Sequence, residues 1–268
     1  MEAPLVSVIM PTFNSGRFLE ESIEGIIKQT YEKWELLITD DGSTDRLTKD
    51  ILSKFAAQDE RIKIVELDTN KGPGYARNNA IERAKGQYIA FCDSDDKWLP
   101  NKLHVQIAFM KEKACALSYG SYIICDIEGK TKGLSKAPQR ITLSMLKRDN
   151  KIGCSTAMID LHKLGKKPYM PNLLKRQDWA FFLSILKDSR TPAYGISQPI
   201  AIYRKRKNSI SSKKLELIKY NIIVYEKILD YHPLYARLYF LLFFLPTHFL
   251  KIIKRKYDSH RFIKIHST

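Results

Sequence analysis

The sequence predicts an α/β fold: a mostly parallel central sheet flanked by helices, followed by a helical C-terminal tail. Three observations predict it. Strand and helix signals alternate over the first hundred residues, an order that implies parallel pairing and right-handed crossovers. Runs such as Tyr88-Ile89-Ala90-Phe91 are continuously apolar, as strands buried on both faces are. Three of the strands end in polar, largely acidic residues, and in an open α/β sheet ligands bind beyond the carboxyl ends of the strands.

Taken in order, Leu5 to Met10 is a β-rich run closed by Pro11. Asn14 and Ser15 can cap the helix that follows, with Glu20 and Glu21 near its positive end. Glu35 to Thr39 is a second strand ending at Asp40-Asp41-Gly42-Ser43. A helix to about Gln58 and a strand over Ile62 to Leu67 come next. Asn70 to Gly74 is a glycine-containing loop, Tyr75 to Lys85 a helix, and Gln87 to Cys92 a fourth strand ending at Asp93-Ser94-Asp95-Asp96. Beyond Pro100 the pattern gives a helix to about Lys113, a strand over Ala116 to Asp126 and a polar loop through Arg140. Cys154 to Asp160 reads as a strand, Asp178 to Lys187 as a helix and Ala193 to Tyr203 as extended chain. The main unit is therefore placed at 1–212, with halves at 1–115 and 116–212, and the tail at 213–268.

An apolar share of 44% in 268 residues is enough for a real core. Lys and Arg number 45 against 29 Asp and Glu, a net charge of +16, which calls for an anionic partner. The excess is uneven: from Arg204 to Thr268 stand 15 Lys/Arg and only 4 Asp/Glu. Cys92, Cys115, Cys125 and Cys154 form no CxxC pair, which argues against a zinc site or a disulfide framework and for buried thiols in a reducing compartment. Met1-Glu2-Ala3-Pro4 shows no basic n-region or long apolar h-region, so no export signal is expected. Leu238 to Leu250 falls short of the about 20 apolar residues a spanning helix needs, and it contains Pro246 and His248.

Chemistry concentrates at three strand ends: Thr12-Phe13-Asn14, Asp40-Asp41 and Asp93-Ser94-Asp95-Asp96. Turns also favour Asp and Ser, so the coincidence at one edge carries the argument rather than any single turn. Close carboxylates repel one another unless something cationic is present. Mg²⁺ or Mn²⁺ suits them, since it takes one or two protein carboxylates and completes its shell with water and phosphate oxygens.

These residues resemble a known family. Val6-Ser7-Val8-Ile9-Met10-Pro11-Thr12-Phe13-Asn14 and Asp40-Asp41-Gly42-Ser43-Thr44-Asp45 are similar to the first two signatures of the family 2 glycosyltransferases. Asn70-Lys71-Gly72 with Ala76-Arg77-Asn78, then Asp93-Ser94-Asp95-Asp96, continue the series in order, and the resemblance covers roughly residues 5–212. It implies the GT-A fold, inversion at the anomeric carbon, a divalent metal (Mn²⁺ or Mg²⁺), a nucleotide-sugar-binding half at 1–115 and an acceptor-binding half at 116–212. On this resemblance Asp40 hydrogen-bonds the nucleotide base, while Pro11, Thr12 and Asn14 line its pocket. Asp93, Ser94 and Asp95 supply the DxD motif, with Asp95 the direct metal ligand and Asp93 beside it. Lys71 and Arg77 sit next to the donor. Gly72-Pro73-Gly74 is no dinucleotide fingerprint, because Arg77 takes the third glycine's place.

Inverting transfer needs a carboxylate to take the acceptor's proton. Arg176-Gln177-Asp178-Trp179-Ala180-Phe181-Phe182 resembles the family segment that supplies it, usually Glu-Asp. Here Gln177 replaces the Glu while Asp178 holds the position of the base, the bland alternative being a helix N-cap. Trp179 reads equally as a sugar-stacking ring or a core residue. Tyr203-Arg204 with Ser209-Ile210-Ser211 resembles a closing loop near the diphosphate, and Arg204 and Lys205 to Lys207 are candidates for phosphate oxygens.

Tyr235 to Tyr257 mixes leucines and aromatics with Lys251, Lys254, Arg255 and Lys256, a composition suited to lying in the headgroup region of an anionic membrane. Pro246 is expected to kink or divide that helix. The combined expectation is a glycosyltransferase moving a sugar from a nucleoside-diphosphate sugar, UDP-sugar first, onto a glycan or lipid-linked acceptor. It would serve cell-surface polysaccharide or lipooligosaccharide synthesis at the inner face of the cytoplasmic membrane. Three rivals stand beside it. A nucleic-acid-binding protein leaves the acidic motifs unexplained, and a sugar-phosphate nucleotidyltransferase wants a glycine-rich basic loop that Thr12-Phe13-Asn14-Ser15-Gly16 is not. A non-catalytic relative would have no need of Asp95 and Asp178.

Overall fold

The structure is a computed structural model that describes residues 3–206 and 214–266. Its elements are β1 (Val6–Thr12), α1 (Gly16–Ile27), β2 (Trp34–Asp40), α2 (Arg46–Gln58), β3 (Ile62–Glu66), α3 (Pro73–Arg83), β4 (Tyr88–Phe91), β5 (Lys97–Trp98) and α4 (Lys102–Lys113). They continue with β6 (Leu117–Cys125), β7 (Thr131–Ser135), β8 (Arg140–Ile141), α5 (Leu143–Arg148), β9 (Met158–Asp160), α6 (Leu161–Leu164), α7 (Gln177–Ser189) and β10 (Ala193–Arg204). The tail is α8 (Lys214–Ile228), α9 (Pro233–Tyr239), a π-helical turn at Phe240–Phe244 and α10 (Leu245–His266).

One sheet runs in the order β3-β2-β1-β4-β9-β6-β10-β5, with β7 added to β6 and β8 to β10. β3, β2, β1 and β4 are parallel, as the sequence pattern requires. Past β4 the sheet is mixed: β9 is antiparallel to both β4 and β6, while β6 and β10 pair in parallel. The chain steps from β1 to β2 to β3 in one direction and returns to the other side of β1 for β4. That reversal is the switch in strand order where an α/β sheet opens a crevice.

Both faces of the sheet are buried. Val6, Val8 and Met10 of β1 pack with Leu19 and Ile23 of α1 and Leu52 of α2 on one side. Ile9 turns to the opposite side and joins Ala80 and Ile81 of α3 and Phe181 of α7. This period-two division of an almost wholly apolar strand is what a doubly covered sheet demands.

The tail departs from its expected break. The chain stays helical through Pro246, and the π turn lies immediately before it. A proline removes one amide donor and crowds the carbonyl four residues back, so a wider turn relieves the clash that would otherwise split the helix. Ala236, Phe240 and Phe244 bury their side chains in the core, whereas Leu242, Phe249, Leu250 and Tyr257 point outward. The helical stretch Pro233–Ile265 is, by length and composition, long and apolar enough to cross a bilayer. The expected segment Leu238 to Leu250 is only part of it, because the helix begins earlier and runs on through residues beyond Leu250.

Candidate active site

The edge where β1, β2 and β4 end is tied together by short polar residues. Asn14 takes a left-handed conformation (φ 46°), its N–H donates to Ser43 Oγ (2.8 Å), and its Oδ1 accepts from the N–H groups of Thr44 and Asp45 (2.9 and 3.1 Å). The loop after β1 is thereby fastened to the loop after β2. Gly42 makes the turn possible: at φ 76° a Cβ would press on the Thr69 and Asn70 backbone.

The two adjacent carboxylates after β2 diverge. Asp40 is fully buried and accepts from the hydroxyl and N–H of Ser43; burial holds its carboxyl above the ordinary range despite those bonds. Asp41 accepts from the N–H groups of Lys71 and Gly72, both at 2.8 Å, and so shapes the loop ahead of α3.

The cluster after β4 also divides. Asp93 pairs with Arg77 (Oδ1–Nη2 2.5 Å) and Asp95 with Arg206 (Oδ2–Nη2 2.6 Å). Burial and the neighbouring Asp93 raise the Asp95 pKa even with Arg206 in contact. Asp96 turns inward, accepting from Ser155 Oγ and from the Arg204 N–H (3.0 Å), and burial with Asp95 and Asp93 nearby pushes it well up. Burial alone would weaken the Arg77 guanidinium's hold on its proton, yet Asp93 outweighs that and raises its pKa. Among the described residues no group of three or more His, Cys, Asp or Glu side chains is gathered for a metal. Two carboxylates are still enough for Mg²⁺ or Mn²⁺, whose remaining ligands are water and phosphate.

Asp178 lies in the first turn of α7, one residue past its start, and Asn150 Nδ2 donates to its Oδ2 (3.0 Å). The residue in the cap position is Arg176, in left-handed conformation (φ 64°), so Asp178 is not the N-cap. Trp179 is fully buried, donates to the Leu146 carbonyl and packs edge-on against Tyr225, which makes it a core residue and removes the stacking alternative.

A cavity of about 660 Å³ opens over this edge. Pro11, Thr12, Asn14, Arg77, Asp93, Ser94, Asp95 and Asp178 all line it, so the first strand, the acidic turn and α7 converge as the sequence suggested. Asp40, Lys71 and Arg204 lie outside its lining. Asp40 is held by Ser43, and Lys71 sets its ammonium over the Tyr75 ring at 4.8 Å. Arg204 pairs with Glu21 (2.8 Å) and lies over Phe18, behind the acidic turn. Ser209 to Ser211 and Lys207 fall outside the described residues.

Asp41, Arg176 and Arg206 line the cavity without having been singled out individually. For Asp41 the doubled acid was visible, but nothing in the sequence says which of two neighbours a strand end turns outward. Thr12 Oγ1 and the Nε atoms of Arg77, Arg176 and Arg206 are buried without a hydrogen-bond partner among the described residues. Buried donors of this kind call for a partner, and here they border a cavity with room for an oxygen-rich anion.

Comparison with known proteins bears on this geometry. The model of glycosyl transferase family 2 matches residues 7–164. A Bacillus subtilis protein named as a teichuronic acid biosynthesis glycosyltransferase, TuaG, is 43% identical over 85% of this chain and 90% of its own length. The Escherichia coli UDP-Glc:alpha-D-GlcNAc-diphosphoundecaprenol beta-1,3-glucosyltransferase WfgD is 38% identical over 90% of this chain and 92% of its own. Among solved structures, the Pyrobaculum calidifontis mannosyltransferase PcManGT, in complex with GDP-Man and Mn²⁺, aligns with a TM-score of 0.64. That alignment, at 18% identity, covers 94% of this chain and 75% of that one, and it shows a shared GT-A fold.

Proposed function

The chain belongs to glycosyl transferase family 2, and from that premise we propose that it transfers a sugar from a UDP-sugar to a hydroxyl of a diphosphate-polyprenol-linked acceptor, with inversion. One observation carries the reading: the acidic turn after β4 and Asp178 of α7, distant in sequence, open into the same cavity. The activity for which WfgD is named supports UDP-glucose as the first donor to test and a lipid-linked glycan as the acceptor class.

Asp93 and Asp95 fit a hard divalent cation, being two carboxylates on one turn at the cavity wall, and burial together with the Asp93 charge already disfavours the charged form of Asp95. When bound there, Mg²⁺ or Mn²⁺ supplies charge that neutralises the departing nucleoside diphosphate. Arg77, Arg176 and Arg206 add fixed donors for phosphate oxygens on the cavity wall. Asp178 receives the proton of the acceptor hydroxyl, and the Asn150 amide fixes which of its oxygens stays free. Pro11, Thr12 and Asn14 hold the nucleotide end, with Asp41 shaping the loop beside it.

The tail supports work at a membrane surface, on the cytoplasmic side where four free thiols stay reduced. Its outward apolar side chains suit lipid, while Ala236, Phe240 and Phe244 stay in the protein core. With one flank committed to protein, peripheral seating fits better than full immersion.

Calorimetry of UDP-glucose with and without Mn²⁺, on wild type and Asp95→Ala, tests the donor site. The expected result is metal-dependent binding that Asp95→Ala weakens about tenfold or more, as losing a charged ligand implies. Binding indifferent to both metal and Asp95 contradicts the assignment.

A further inference from the structure

A second recess, of about 310 Å³, lies beneath α10, walled by β6, β7, the loop Asn150–Gly153 and α10 itself. Lys136, Lys151, Lys251, Lys254 and Arg255 line it, against one acid, Asp258. Two of these cations are committed: Lys251 to Asp149 (2.6 Å) and to the Asn150 carbonyl (2.7 Å), Lys136 to Asp258 (3.4 Å). Lys151, Lys254 and Arg255 make no ion pair or hydrogen bond among the described residues. Three uncommitted cations in one concavity attract a multiply charged anion.

The same recess has an apolar side. Tyr122, Ile152 and Leu250 contribute to it, and Leu250 is also 65% exposed on the outer face of α10, continuous with Ile253 and Tyr257. An occupant with an anionic head and an apolar tail matches both halves. The recess also touches the catalytic machinery through a single residue. Asn150 lines it, gives its carbonyl to Lys251 of α10 and gives its amide to Asp178. A hydroxyl at Asp178 and an anion in the recess belong to one molecule when a sugar joins them.

We propose that this recess seats the diphosphate of a polyprenyl-diphosphate-linked sugar acceptor. Lys151, Lys254 and Arg255 bind its oxygens, and the lipid leaves over Leu250 onto the exposed face of α10. The assignment deepens the acceptor class proposed above and rests on it. A bilayer phospholipid would present the same phosphate chemistry, but it would meet the outer face of α10 rather than the wall that carries Asn150.

The test compares the full-length wild type with Lys151→Ala/Lys254→Ala/Arg255→Ala and with the charge-keeping Lys254→Arg/Arg255→Lys. Farnesyl diphosphate, farnesol and UDP-glucose are the soluble probes; phosphatidylcholine vesicles with and without phosphatidylglycerol are the membrane probe. Farnesyl diphosphate should bind wild type and the charge-keeping variant, and bind the triple-alanine variant about tenfold or more weakly, since each lost contact is charge-assisted. Farnesol should not compete, and UDP-glucose affinity should be the same in all three, which also reports an intact fold. With a diphospholipid-linked N-acetylglucosamine acceptor, KM should rise in the triple-alanine variant while kcat holds. Equal farnesyl diphosphate affinity in all proteins overturns the proposal. So does a triple-alanine variant that loses only its binding to phosphatidylglycerol vesicles, which assigns the cations to bilayer lipid. Failure of wild type to bind UDP-glucose would instead strike the donor reading, leaving the recess result to stand separately.

Discussion

At the scale of single residues, the acidic turn shows how one motif serves several ends. Asp93 and Asp95 face the cavity, while Asp96 is drawn inward by Ser155 and the Arg204 backbone. Ser155 also accepts from the Asp93 N–H, and its carbonyl accepts from Trp98, whose ring lies 4.0 Å from the buried Lys102 ammonium. Burial pushes the Lys102 pKa down to about 7 from an ordinary 10.5. The unfolded chain keeps that proton up to the higher value and the folded one releases it near the lower. Stability therefore rises with pH across that window, and the full penalty applies below it. Lys102→Met should be more stable than wild type at pH 7. Its advantage should shrink by on the order of 1 kcal/mol per pH unit toward pH 9 in denaturant titrations; a difference independent of pH would contradict this. The acids at the strand ends and Asp178 were legible because residue type and order carried them. Which cation of the run 204–207 faces the cavity, and the place of Asn150 behind Asp178, were not, because long-range contacts decide which side chain of a polar stretch turns inward.

At the scale of elements, α10 is fastened to the body by polar contacts at Ser259 and at Lys251 with His248, besides the Lys136–Asp258 pair. Ser259 Oγ bonds both the Leu134 N–H (3.2 Å) and its carbonyl (3.3 Å), close beside Gly133, where a Cβ would fall on the Ser259 side chain. Two to three turns away, His248 and Lys251 converge on Asp149, a carboxylate almost wholly buried, whose pKa they hold down against the cost of burial. Lys251→Met leaves that charge with His248 alone. It should cost about 2 kcal/mol, below the full loss for a buried pair because one partner stays and Lys251 is partly exposed. The loss should appear as a lower urea midpoint at neutral pH, and an unchanged midpoint would mean that α10 docks without it. Apart from β5, the strands and helices through residue 113 were readable because periodicity and caps are local. The short β5, the mixed pairing beyond β4 and the unbroken tail were not, since each depends on a partner far away in the chain.

At the scale of the whole molecule, the charge and the apolar surface sit together. The last quarter of the chain holds most of the positive excess, and α9, the π turn and α10 expose Leu234, Leu238, Leu242, Phe249 and Leu250. Flotation with phosphatidylglycerol vesicles should recover the protein at low salt and lose much of it at high salt, because exposed charges are screened within about 10 Å at 0.1 M salt. Phe249→Asp/Leu250→Asp should reduce recovery at either salt, and recovery unaffected by those changes would remove the tail from the contact. Sugar transfer itself is the decisive assay. Purified protein would be given UDP-glucose and a polyprenyl-diphosphate-linked N-acetylglucosamine, with the product's anomeric configuration read by NMR. The expected product is a β-linked glucose with equimolar UDP, and the expected rate is lowered about 10²–10⁴-fold in Asp178→Asn while UDP-glucose binding is kept. An α-linked product, or an Asp178→Asn variant as fast as wild type, would contradict the proposed transfer.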